Sequence, residues 1–451
     1  MPASIYDELQ GDLNLPEVNR RVAASKRVGE LISTGEIARV ESGELNNHVH
    51  TIYSFSPYSP SLAAFTAWRA GLPAVGIMDH DSVAGCDEML DAAANIGIAS
   101  TVGFELRVNM SGTGMSGQKL NNPDSPNIAY IAVHGIPRGH LSDAAAFLAP
   151  LQEARNKRNM AMTERLSVLS VGYGFGKIDF ETDVVSLSQS GTGGSITERH
   201  VLYGLCKLLT DKLGKGEKII DAVENGMEIR IPGKIRNYLA DQTNPHYLFD
   251  LLGVFKSTII SRIYEHPGID ECVGVESALE FARSIGAITA YAYLGDVTDS
   301  PTGDKKAEKF EDEYLDELFD VLAELQFQAI TYMPPRNTLP QLKRVQALCA
   351  RHGFMEISGV DINSSRQSFN CPELLMPQFR HLSTSAWALI AHEKLSGTDE
   401  RFGLFHPDNP VESENLRKRI GVYGAIGKKI NHGRTALTFD AAESLLKEHL
   451  Q

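Results

Sequence analysis

Cysteine is scarce in this chain of 451 residues, and neither a long apolar run nor a surplus of positive charge is present. The five cysteines, Cys86, Cys206, Cys272, Cys349 and Cys371, are an odd number, widely scattered, with no CxxC pair. That argues against a disulfide framework or a cysteine-based zinc knuckle and fits a reducing, cytoplasmic compartment. No apolar run approaches the roughly 18 residues of a membrane helix. The start, Met1-Pro2-Ala3-Ser4 leading into Asp7 and Glu8, lacks the basic and apolar regions of a signal peptide. No membrane partner is expected. Basic residues number 43 against 57 acidic, a formal net charge of -14, which argues against a broad nucleic-acid footprint. A protein of this charge that takes an anionic small molecule must gather positive charge locally, on metal ions or a few arginines. There is no internal repeat and no low-complexity tract. The Gly/Ser-rich stretch Ser188–Ser195 is followed by no GK[ST], so it reads as a linker, or as a backbone cradle for phosphate.

What is present is an ordinary globular composition, 42% hydrophobic and 22% charged, which supports a large core. Seven short β-rich runs recur: Leu45–Thr51, Ala74–Asp79, Ala99–Val108, Asn127–His134, Ala287–Tyr293, Phe327–Met333 and Phe354–Asp361. Helical patterns separate most of them, including Ser61–Ala70, Val83–Asn95, Val275–Ser284, Glu311–Leu325 and Leu339–His352. Buried strands alternating with helices of this length predict parallel βα units, and seven of them predict a barrel. The predicted fold class is α/β: a distorted seven-stranded TIM-like barrel with a helical insertion and helical terminal extensions. Its parts are an N-terminal helical extension (1–40), the barrel in two pieces (41–200 and 281–370), the insertion (201–280) and a C-terminal extension (371–451).

In such a barrel, functional side chains gather where the strands end. The first run ends Asn47-His48-Val49-His50-Thr51, and residues two apart share a face, so His48 and His50 can address one cation. About 0.4 HxH pairs are expected by chance at this histidine frequency, so the pair alone decides nothing. The second run ends Asp79-His80-Asp81, the third Gly103-Phe104-Glu105, the fourth His134-Gly135 and the seventh Gly359-Val360-Asp361-Ile362-Asn363. Imidazoles mixed with carboxylates form a ligand set for Zn, Mn or Fe. Arg107, Arg199 and Arg336 fall near the same rim and could clamp a phosphate through paired bonds. The stretch Asn109–Pro126 follows the third run, as a lid or as a surface insertion.

With HxHT on the first strand, DHD after the second, GxE on the third and GxDxN on the last, the chain resembles the polymerase and histidinol phosphatase (PHP) family over roughly Leu45 to Ser364. The resemblance implies a PHP-type barrel and a metal-dependent phosphoesterase. It extends to Glu198-Arg199-His200 opening a helix, and the insertion resembles that of the subgroup hydrolysing nucleoside phosphates. It places His48, His50, His80, Glu105, His200 and Asp361 at metal-ligand positions, with Asn363 where the family usually has a histidine. Ser54-Phe55 stands where a carboxylate is usual. Tyr293 puts a phenol where an imidazole is usual, and is assigned here to the substrate side. On the fourth strand either Tyr130 or His134 occupies the site, according to register.

The expectation is therefore a hydrolase that cleaves a small anionic phosphomonoester with one to three divalent ions (Mn, Zn, Fe or Mg), Asp79 or His134 protonating the leaving group. Two other functions fit the same residues: a degenerate, non-catalytic ligand-binding module, and an amidohydrolase-like enzyme acting on non-phosphate substrates.

Overall fold

The computed structural model describes residues 5–122, 125–296, 310–411, 415–430, 432–433 and 436–448. All seven β-rich runs form strands: β1 (Asn46–Val49), β2 (Ala74–His80), β3 (Ala99–Asn109), β4 (Ile128–His134), β6 (Ile288–Ala292), β7 (Ala329–Tyr332) and β8 (Met355–Ser358). A two-residue strand not foreseen in the sequence, β5 (Val273–Gly274), pairs with the end of β3. The sheet runs β1-β2-β3-β4-β6-β7-β8. It curls far enough for β1 to meet the segment beyond β8 at one parallel bridge, Val49 to Ile362. There His50 N donates to Ile362 O (2.9 Å) and Ile362 N to His48 O (3.1 Å).

One strand departs from the expectation of uniformly parallel units. β4 runs antiparallel to both β3 and β6. A parallel neighbour needs a crossover, usually a helix, whereas the stretch between β3 and β4 turns back without one. Antiparallel pairing sets Tyr130 opposite Arg107 and His134 opposite Gly103. Tyr130 therefore stands toward the rim, and His134 toward the far end of the sheet.

The helices follow local signals. Leu339–His352 starts at a capping box of Thr338 and Gln341 with Pro340 in its first turn, and stops at Gly353, whose φ of 74° suits glycine. The second helix, Val18–Ser33, is tied to Cys86–Ile96 by the buried pair Arg21–Glu88 (2.6 Å). Leu141–Gly172, Glu198–Leu213 and Tyr247–Thr258 build a second apolar cluster, which also takes in Phe55 from the β1 side. The five cysteines are buried and free. Among the described residues no helix is long and apolar enough to cross a membrane.

The C-terminal segment, unreadable chemically, has a structural place. Helix Arg380–Ser396 buries Ala388, Leu389, Ala391 and Leu395 in one cluster with Met78, Ala132, Ala290, Ala329 and Ile357 of the strands. Glu393 accepts hydrogen bonds from Thr101 Oγ1 (3.0 Å) and Val102 N (2.9 Å), and His392 Nε2 lies 2.9 Å from Gly286 O. These contacts cover the end of the sheet opposite the rim. Helix Leu416–Lys429 then packs on Arg380–Ser396 backbone to backbone, with Gly424 and Gly427 against Thr384 and Trp387.

Candidate metal centre

The rim is assembled by local fastening of β1. Asn46 Oδ1 accepts from both His48 N and Val360 N at 3.0 Å, joining the first strand to the segment that carries Asp361. A Cβ at Gly359 would lie 2.5 Å from His48 Cβ, so only glycine lets this chain pass the imidazole. His50 and His80 rings then stand 4.5 Å apart, and His48 and His50 rings 5.1 Å apart, between centroids. Glu105, in register with His80, brings Oε2 to 3.0 Å from His80 Nδ1 and Oε1 to 3.9 Å from His48 Nε2. Asp361 Oδ1 lies 3.1 Å from His50 Nε2.

Two groups offer ligand atoms within 4.8 Å of one another: His48, His50 and Asp361, and His50, His80 and Glu105. His50 Nε2 and His80 Nδ1 are buried without a hydrogen bond of acceptable geometry. Orphaned buried nitrogens facing carboxylates suit a cation, and three imidazoles with two carboxylates suit Zn, Mn or Fe. Electrostatics agrees. Burial pushes His48 and His80 down, the like charge of His50 adding to the effect on both. Burial opposes charge on His50 too, but Asp361 outweighs it and leaves His50 raised. Asp361, despite burial, is held well below the usual carboxylate range by His50. Glu105 is raised by burial. Without an ion the His50–Asp361 pair thus favours a proton on the imidazole, at the place a divalent ion would take.

The remaining candidates fall in distinct places. Asp79 is buried beside the β1 turn, accepting from Thr51 N, Ser54 Oγ and Thr51 Oγ1, each at 2.6 Å. It does not line the cavity; it reaches His50 through Ser54, whose Oγ lies 3.3 Å from His50 Nδ1. His134 is buried below the ligand layer, pushed down to about 3 chiefly by burial, with Nε2 unpartnered. Tyr130, the alternative on the same strand, lines the cavity with its ring 5.8 Å from His80. His200 lies outside both ligand groups; its Nδ1 accepts from Thr197 N (3.0 Å), and Phe55 packs edge-on at 4.9 Å. Asn363 Nδ2 donates to Asp361 Oδ1 (2.7 Å), steadying that carboxylate.

A cavity of about 340 Å³ opens over His48, His80, Glu105 and Asp361. Arg107, Arg199, Arg336 and Tyr293 all line it. Tyr293 OH donates to Asp312 (2.7 Å), and Arg336 Nε to Leu294 O (3.2 Å). Arg107 is buried in a network that sequence reading did not foresee. It pairs with Glu198 (3.2 Å) and Glu271; Arg158 pairs with Glu271 (2.6 Å) and Glu198; Arg155 pairs with Glu198 (3.0 Å) and Asp81. A readable signal was present: Arg155 and Arg158 lie one turn apart on a helix whose buried face continues through Asn159 and Met162. The Gly/Ser-rich stretch is also fastened: Ser195 Oγ donates to His80 O (2.6 Å) and Ser195 N to Tyr53 O (2.7 Å). From the loop after β3, Asn121 and Asn122 form a cavity wall.

No family model matches the chain. A 5'-3' exoribonuclease from Haemophilus influenzae is 34% identical over 74 residues, 16% of this chain and 27% of that protein. The match thus spans about a quarter of that relative's length. Among solved structures, a candidate metal-dependent phosphoesterase from Bifidobacterium adolescentis is similar at TM-score 0.47 and 18% identity, over 72% of this chain and 90% of its own. An amidohydrolase from Chromobacterium violaceum, with bound sulfate and no metal, is similar at TM-score 0.47 and 17% identity, over 75% and 95%.

Proposed function

We propose that this protein is a metal-dependent hydrolase of small phosphomonoesters, acting in the cytoplasm, with a nucleoside phosphate as the favoured substrate. The observation that carries the reading is the convergence of His48, His50, His80, Glu105 and Asp361 in two ligand groups beneath one cavity, with His50 Nε2 and His80 Nδ1 turned toward carboxylate oxygens at 3.1 and 3.0 Å. The motif resemblance favours phosphate chemistry, and a relative named for exoribonuclease activity favours a nucleotide-like substrate.

In this reading those five residues form the metal site and a triad containing His50 would hold the ion, with Ser54 and Asn363 orienting His50 and Asp361. A divalent ion bound there supplies a Lewis acid and the polarisation that makes water nucleophilic near neutral pH. Arg199 draws the phosphoryl group into the cavity, and Phe55, Leu202, Ile260 and Tyr264 form an apolar wall for the organic part. Hydrolysis joins a water oxygen to phosphorus and breaks the bond to the leaving oxygen. Neither Asp79 nor His134 lines the cavity, which leaves the proton for that oxygen to another lining group or to solvent.

A second reading, ligand binding without turnover, is favoured by Phe55 and Tyr293, whose side chains are committed to an apolar cluster and to Asp312. The test is assay of the full chain, loaded with Mn, Zn or Mg, on p-nitrophenyl phosphate, nucleoside monophosphates and a panel of esters and amides lacking phosphate. Phosphate release abolished by His48→Ala is expected. Bound metal without turnover favours the binding role, and turnover confined to the non-phosphate panel favours amidohydrolase-like chemistry.

A further inference from the structure

We infer that this centre takes one divalent ion, and that the Arg199 guanidinium provides the second positive charge for a bound phosphate. This rests on the metal-hydrolase reading above and specifies how many cations that site uses.

Both ligand groups contain His50. Its Nδ1 faces Ser54 Oγ at 3.3 Å, leaving the Nε2 lone pair, and one lone pair binds one ion. The His50 nitrogen can therefore complete only one of the two groups at a time: an ion held by His48, His50 and Asp361 leaves His80 and Glu105 as a pair, and the reverse leaves His48 and Asp361. Three protein donors with room for a water or phosphate oxygen suit Mn or Zn in an open site.

Places from which further donors could come are occupied otherwise. Phe55 presents a hydrocarbon ring, locked against Tyr203 at 5.6 Å and Phe249 at 5.8 Å. His200, behind that ring, uses Nδ1 to cap its own helix. The Tyr293 hydroxyl proton goes to Asp312, and the Asn363 amide to Asp361. A second ion would have to share the same five groups.

Positive charge for a phosphate then has to come from the protein. Arg107 and Arg155 line the cavity, but Glu198, Glu271 and Asp81 already offset them. Arg199 lines the same cavity, and among the described residues it has no carboxylate within ion-pair distance. A planar guanidinium at that point can grip two phosphoryl oxygens at once.

The experiment strips the full chain with chelator, reloads it with Mn2+, removes excess by gel filtration and measures metal per chain. One ion is expected. Two or three overturn the single-ion inference and leave the hydrolase reading standing, whereas none overturns both. Inorganic phosphate is then titrated calorimetrically into the Mn-loaded protein, Arg199→Ala and Arg199→Lys. The alanine variant should bind phosphate at least about tenfold more weakly, the weight of one charge-assisted hydrogen bond. Lysine should recover part of that loss, and metal content should stay at one in both. Phosphate affinity unchanged in Arg199→Ala overturns the role given to the guanidinium.

Discussion

Replacing Ser54 with alanine tests how the centre orients its shared imidazole. Asp79 takes the Ser54 hydroxyl proton at 2.6 Å, so the Ser54 oxygen can only accept from His50 Nδ1, 3.3 Å away. That assigns the ring proton to Nδ1 and the lone pair to Nε2, the nitrogen 3.1 Å from Asp361. Alanine removes the acceptor and lets the proton move to the ligating nitrogen. Losing such a partner of a ligand histidine typically weakens metal binding 10–100-fold, or about 1.4–2.7 kcal/mol. Fold stability should fall by only about 1–2 kcal/mol, since one buried hydroxyl is lost and Asp79 keeps both bonds to Thr51. Competition against a fluorescent chelator measures the metal affinity, and urea unfolding of the metal-free protein measures stability. An affinity within about twofold of wild type, in a folded variant, would refute the assignment of the tautomer to Ser54.

Three further perturbations have defined outcomes. Burial raises Glu393 to about 7, so its contribution to stability is present below the ordinary carboxylate value of 4.5 and is lost as pH climbs through 7; Glu393→Gln should raise the unfolding midpoint at pH 8 and leave it nearly unchanged at pH 4.5, and equal effects at both would contradict this. Glu271→Ala leaves Arg107 and Arg158 short of a buried partner and should cost about 3–5 kcal/mol in denaturant unfolding; an unchanged midpoint would mean that water enters the network freely. At Gly427 an added Cβ would run into the Trp387 carbonyl, so Gly427→Ala should cost at least about 1–3 kcal/mol and expose the C-terminal helices to limited proteolysis, whereas wild-type resistance would argue against close helix contact there.

Much of the architecture was readable because it depends on short-range pattern. Each apolar run became a strand within a few residues, since burial on both faces needs nothing beyond local composition. The direction of β4 was not readable. Alternation along NIAYIAVH tells which side chains share a face, and His134 and Tyr130 share one whichever way the strand runs. Only pairing with β3 decides which of them reaches the rim, and pairing is a property of two segments. Helix Leu416–Lys429 escaped for a related reason: its glycines lower helix propensity, and the gain from close packing on Trp387 is invisible until the partner helix is placed.

The same division runs through the site. His48, His50, His80, Glu105 and Asp361 announce themselves because polar groups ending apolar strands need a reason to be there. Their supports do not: Glu198 meets Arg107, Arg155 and Arg158 across 91, 43 and 40 positions of chain, and a single charged residue carries no mark of its partner. Phe55 is the instructive case. Judged against a motif it is a missing carboxylate, yet the ring is an apolar anchor for the helical insertion, filling a cluster with Leu202, Tyr247 and Phe255. An aromatic residue where rim chemistry calls for a ligand signals a second core docking at that point, because a large apolar side chain is stable beside charged groups only if another surface covers it. Insertion and barrel are thus fastened at the position where a further cation would have needed its donor, and a Phe55→Asp exchange would open the apolar cluster well before it completed a ligand set.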